Sequence, residues 1–215
     1  MKLTLKWLEE NKACSDGKQW FADSGLKTVE SAMDGLIKDN KLQWANWLIT
    51  RSLSRKNRIR YAIFAAEQVI SIYEKRYPND KRPRLAIESA KKVIKSDTAK
   101  NRAAAAADAA AAADAADAAD AAADAADAAA ADDADDAADA ADYAAYAAAA
   151  DDADDADDAA DAAAAADAAA DAADAAADAD AADAAYAAAA YADAAMKIKI
   201  LNYGVDLLNG ENENA

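Results

Sequence analysis

At 215 residues the chain has the size of one or two domains, and its 24 basic against 41 acidic side chains leave a formal net charge of −17. It contains no histidine and a single cysteine. That removes the commonest general base and metal ligand, makes conventional acid–base or zinc chemistry a poor fit, and allows no internal disulfide. No apolar run approaches the length of a transmembrane helix, and Lys6, Glu9 and Glu10 interrupt any signal-peptide core. The expected location is therefore cytoplasmic.

The charge is strongly polarised. Residues 1–102 carry 22 Lys or Arg against 12 Asp or Glu, together with all four Trp, whereas residues 103–195 consist of 63 Ala, 26 Asp and 4 Tyr. This composition divides the chain into a basic, aromatic helical domain (1–102), an Ala/Asp helical stack (103–195) and a C-terminal capping helix with its tail (196–215).

In chain order, Leu3, Leu5, Trp7 and Leu8 form a short apolar face, and a break is expected at Ser15-Asp16-Gly17 before a second short segment bearing Trp20 and Phe21. Thr28 is placed to N-cap a helix over Val29–Asp39, with Met33, Leu36 and Ile37 at helical spacing. Leu42, Trp44, Trp47, Leu48 and Ile49 start another apolar face. A long helix is expected from about Asn57 to Tyr77, stopped by Pro78-Asn79-Asp80, and Pro83 suits the first turn of a helix through Lys95.

The Ala/Asp block contains no Gly or Pro, and alanine is the best helix former, so helix is expected throughout. One uninterrupted helix would be about 140 Å long, and a compact stack of shorter helices is expected instead. Aspartate is a strong N-cap and a poor interior residue, which makes Asp132-Asp133-Ala134-Asp135-Asp136 and the cluster Asp151 to Asp158 the candidate breaks. Met196, Ile198, Ile200, Leu201, Val205, Leu207 and Leu208 restore an ordinary apolar face and are expected to close the open end of the stack. The overall expectation is an all-α fold.

The aspartate spacing admits two readings, a functional surface or drift in a solvated low-complexity face. Asp114, Asp117, Asp120, Asp124 and Asp127 advance by three or four residues, so at about 100° per residue they share one stripe of a helix. Asp167, Asp171, Asp174 and Asp178 form a second stripe, while Asp180 and Asp183 point almost the other way and suggest a turn or new helix there. Asp132, Asp133, Asp135, Asp136 and Asp139 lie between the stripes, as do Asp151, Asp152, Asp154, Asp155, Asp157 and Asp158. Like charges three or four residues apart oppose a helix by a few tenths of a kcal/mol per pair, a local conflict of the kind that function can impose.

Magnitude selects among arrangements. Spread along a single helix, the carboxylates fall roughly one per 5.4 Å of axis, against one charge per about 1.7 Å in duplex DNA. Three helices side by side bring the projected spacing to roughly 1.8 Å. The reading that follows is a protein mimic of the phosphate backbone, with these aspartates as partner-binding residues that occupy the basic channel of a nucleic-acid-binding protein. Because carboxylates supply no base edges, such a target would read duplex shape and phosphate more than sequence.

The run from Tyr73 to Ala90, with Tyr77-Pro78-Asn79-Asp80-Lys81-Arg82-Pro83-Arg84-Leu85-Ala86-Ile87-Glu88-Ser89-Ala90 at its heart, resembles the "YP-x-D-x-RPR-x-AIE-x-A" core of the alanine-rich immunity proteins of bacteria, prophages and phages. Ala13 to Phe21 and Trp44 to Leu48 are similar to upstream motifs of that family. The resemblance covers about residues 1–100 and implies an all-α fold and neutralisation of another protein. The tail differs from the family's mixed polar residues in being almost pure Ala and Asp. That difference shifts the expected role toward a phage-borne inhibitor of a CRISPR effector, restriction enzyme or other defence nuclease, with a basic toxin as the alternative partner.

Rival chemistries fit less well. Asp-Asp pairs could attract Ca²⁺ or Mg²⁺, but the Gly-containing loop and bidentate Glu of an EF-hand are missing, and no specific metal site or cofactor is expected. Ice binding is disfavoured because no Thr follows Thr98. Paired carboxylates can hydrolyse glycosides, yet each Asp resembles its neighbours, so no enzyme is expected. Tyr143, Tyr146, Tyr186 and Tyr191 are read as fillers between Ala helices ahead of interface anchors. The Lys/Arg group from Arg51 to Arg60 could contact nucleic acid, but repulsion by the acidic block argues against direct binding by the whole chain. Arg82 and Arg84 are expected to fix the junction between the two halves.

Overall fold

The computed structural model describes residues 1–126 and 182–212. Among these residues it is all-α, with eight helices, no strand, and one isolated β-bridge between Lys2 and Thr28. None of the described helices is long and apolar enough to cross a membrane.

The first helices are short because their ends are chemically fixed. Helix α1 (Leu5–Glu10) starts at Thr4, whose hydroxyl accepts from the Trp7 N–H, and stops where Lys12 turns left-handed at φ 60°. Helix α2 (Ser15–Ser24) is N-capped by Cys14, whose Sγ accepts from Gly17 N–H, and ends at Gly25 with φ 66°. The break therefore falls at residues 11–14. Ser15-Asp16-Gly17, expected to be the break, forms the first turn of α2, where small and acidic residues suit the exposed N–H groups. Helix α3 (Val29–Lys38) opens with a full capping box between Thr28 and Ser31. The expected Thr28 cap and the span of this helix both agree with the structure to within a residue.

Helix α4 (Leu42–Ser52) and α5 (Arg55–Arg76) follow, then α6 (Arg82–Lys95), which carries Pro83 in its first turn as expected. Tyr73, Asp80 and Arg82 shape the corner between α5 and α6. The Tyr73 hydroxyl donates to Asp80 Oδ2 at 2.9 Å, and the Arg82 Nη2 lies 2.6 Å from the same oxygen. Arg84 makes a two-pronged bond to Glu74 on α5 at 2.9 and 2.7 Å. The two arginines thus brace a corner inside the basic half. They do not fix the junction with the Ala block, because their carboxylate partners lie within ten residues of them in sequence.

Helix α7 (Ala99–Ala126) packs against α6, and the last helix, α8 (Ala182–Asn212), packs against α3, α4 and α5. At 28 and 31 residues, these two helices are much longer than the short helices expected of the block, since neither contains proline and their alanines favour helix strongly. The composition changes at 102/103 and 195/196 both fall inside a continuous helix. The candidate breaks at 132–136 and 151–158 lie outside the described residues.

The C-terminal apolar residues enter the core of the N-terminal half. Ile200, Leu201 and Leu208 are buried with Ile49, Ile59 and Tyr61, and the Phe64 and Tyr203 rings stack at 4.1 Å. Asn57 Nδ2 donates to the Leu207 carbonyl at 3.2 Å. Large aliphatic side chains bury more area against Leu, Ile and Tyr than against alanine methyls. This is why the segment's apolar residues pack into the basic body; the middle of the Ala block that it was expected to close lies outside the described residues.

Candidate functional site

The aspartates expected to contact a partner that fall among the described residues lie on helix α7, whose seating begins at Asp97. One carboxylate oxygen of Asp97 lies 2.7 Å from Arg55 Nη1 and the other 3.2 Å from Arg102 Nη1. The next residue, Thr98, caps α7 by accepting from the Asn101 N–H at 3.2 Å, and Asn101 Nδ2 donates back to the Ser96 carbonyl at 2.6 Å. A single aspartate between two arginines therefore sets where the long helix starts and ties it to the first turn of α5.

Beyond this junction the described buried positions of α7 are all alanine. Ala105, Ala109, Ala112 and Ala115 are fully buried, at steps of four, three and three residues. They face α6, whose Ala86, Ser89, Ala90 and Val93 are also buried. Small residues on both helices allow the axes to come close. Each buried methyl contributes only about 0.8 kcal/mol, so the seam depends on its length and on tight contact.

Asp114 lies on the opposite side of α7 and is exposed, whereas Asp108 is half-buried. Asp117, Asp120 and Asp124 continue along the same continuous helical backbone. By the approximately 1.5 Å rise per residue, α6 spans about 21 Å and α7 about 42 Å, so these positions run past the end of α6. Asp127 and the intervening residues Asp132, Asp133, Asp135, Asp136 and Asp139 lie outside the described residues. The same is true of Asp151, Asp152, Asp154, Asp155, Asp157 and Asp158, of the second stripe, Asp167, Asp171, Asp174 and Asp178, and of Tyr143 and Tyr146. Tyr186 and Tyr191 lie on the α8 backbone.

The Arg51–Arg60 group is engaged internally to a large extent. Besides the Arg55–Asp97 pair, Arg58 Nη1 donates to the Leu53 carbonyl at 2.9 Å and Arg60 Nη1 to Asn57 Oδ1 at 2.8 Å. Their work is to hold the α4–α5 turn and the neighbourhood of α8. No periodicity in the sequence distinguishes such internally bonded arginines from a free basic patch.

Sequence reasoning also missed a cavity between the first four helices, lined by three of the four tryptophans. Periodicity shows which side of each helix is apolar but not whether the facing sides fill the space between them.

Compared with family models, with curated proteins and with solved structures, the chain matches none.

Proposed function

We propose that the protein is a non-enzymatic inhibitor that presents aspartate carboxylates in place of phosphates and occupies the nucleic-acid channel of a basic partner. The partner class that fits is a defence complex such as a CRISPR effector or restriction enzyme. The observation that supports this most is the construction of α7. Over residues 103–115 its buried side is alanine, Asp114 faces solvent opposite that side, and the helix is locked at its start by Asp97 and Thr98. A carboxylate on a continuous, anchored helix keeps its position, so its pairing with a Lys or Arg of the partner requires little reordering.

Charge polarity supports the same reading. The basic half carries the fold and the acidic block carries 26 of the 41 acidic side chains. Potentials of one sign concentrated on one region speed and orient encounter with an oppositely charged partner, and salt weakens them.

The test is a pull-down at low salt with the intact protein as bait, followed by competition with duplex DNA. A nucleic-acid-binding protein that DNA displaces is the expected result. Capture of a toxin domain indifferent to DNA would overturn the mimic reading and favour the immunity role that the resemblance of residues 73–90 implies.

A further inference from the structure

Helices α1 to α4 enclose a part-open cavity of about 270 Å³. Its walls are mostly apolar, with Phe21 and the indoles of Trp20, Trp44 and Trp47 among them. Of the lining residues only Lys12 carries a charge. The Trp20 Nε1–H already donates to Asp39 at 2.8 Å, and Cys14 Sγ accepts from the Gly17 N–H at 3.3 Å. Lys41 adds a second cation beside the wall, its Nζ 4.3 Å from the centre of the Trp44 ring.

The position of Lys12 is fixed by the backbone. Its left-handed φ of 60° turns the chain sharply between α1 and α2. Its own N–H donates to the Glu9 carbonyl at 3.0 Å and that of Ala13 to the Leu8 carbonyl at 2.8 Å. The residue is exposed and also lines the cavity, so it stands at the cavity's edge.

We propose that this cavity binds a small, flat, apolar molecule carrying one negative group, of the arene carboxylate class. Flat rings match the indole walls. The volume, just under the usual range of about 300–1,000 Å³ for ligand pockets, suits one or two fused rings. A cationic ligand could also lie over indoles, but the one charged lining residue is Lys12 and none is a carboxylate; Lys41 and Asp39, both beside the wall, offset one another. The anion rests at the mouth beside Lys12 and the ring lies inside. None of the lining residues belongs to α7 or α8, so this site stands or falls independently of the acidic surface.

Cys14 is the chain's one cysteine, is exposed and lines the cavity, so it reports occupancy at a known place. The experiment titrates the intact protein with 2-naphthoate while following tryptophan emission and the rate at which iodoacetamide alkylates Cys14. Saturable quenching is expected, with alkylation slowed severalfold at saturation. Lys12→Gln is expected to weaken 2-naphthoate about tenfold while leaving uncharged 2-naphthamide unchanged. Absence of saturation and of protection up to about 5 mM 2-naphthoate would overturn the site. Equal binding of the acid and the amide, unaffected by Lys12→Gln, would overturn the assignment to an anionic ligand.

Discussion

Gly204 shows how little room the core leaves at single positions. A methyl group there would lie 2.7 Å from Ile49 Cγ1 and 2.8 Å from the Tyr61 ring, both fully buried side chains. Gly210, later in the same helix, has nothing within 4 Å of the equivalent point. Gly204→Ala is therefore expected to destabilise by about 1–3 kcal/mol despite the better helix propensity of alanine, and Gly210→Ala to stabilise by up to about 1 kcal/mol. Urea unfolding midpoints of the two variants check the contrast. Asp80 supplies a second test at this scale. The Arg82 guanidinium bonded to it, with help from the Tyr73 hydroxyl, brings its carboxyl from 3.8 down to about 2 despite an opposing contribution from burial. A depressed value stabilises the fold above the unfolded-chain pKa, and the contribution is lost as pH falls through about 4 to 2. Asp80→Asn should cost on the order of 1 kcal/mol at pH 7, allowing for solvent screening, and almost nothing at pH 2, as read from paired denaturation curves. The sequence displayed Asp80, Arg82 and Arg84 as a compact motif but could not show their partners. Tyr73 and Glu74 meet them only because the chain doubles back at Pro78.

At the scale of the element, the seam between α6 and α7 is an unconventional contact built from small residues on both helices. Ala109 and Ala112 leave no accessible surface, so enlarging either to leucine forces the helices apart. Ala109→Leu and Ala112→Leu are each expected to cost about 1–3 kcal/mol, whereas Ala110→Leu, at an exposed position, should change stability by under about 0.5 kcal/mol. Thermal unfolding followed by circular dichroism distinguishes the two outcomes. Salt should act in the opposite direction to its usual effect on paired surfaces. Screening relieves repulsion among neighbouring aspartates, so the helix signal near the unfolding midpoint is expected to rise between about 0.05 and 0.5 M NaCl. Helicity here was legible from alanine content, and the capping box at Thr28, the stop at Pro78 and the start at Pro83 were legible from single residues. The side of α7 that packs was not. Ala105 and Ala110 are chemically identical in sequence, and only the position of α6 makes the first buried and the second exposed.

On the scale of the whole molecule, both ends of the Ala/Asp block are rooted in one folded body. Helix α7 leaves along α6, and the block returns through α8 into the core formed with α4 and α5. The polarity of charge was plain in the sequence, as was the all-α class. The return of the C-terminus into the basic half was not, because an apolar helical face does not indicate which surface it covers. The proposed presentation of the acidic block rests on this two-ended attachment of its flanking helices. Neutralising the stripe should accordingly alter association with a basic partner and leave the fold unharmed or slightly more stable. The decisive measurement is the salt dependence of binding to the captured partner. It compares the intact protein with variants in which Asp114, Asp117, Asp120, Asp124 and Asp127, or Asp167, Asp171, Asp174 and Asp178, are changed to Asn. A steep loss of affinity with salt, made shallower by at least one set, is the predicted result; affinity and slope unchanged by both sets would contradict phosphate mimicry by these carboxylates.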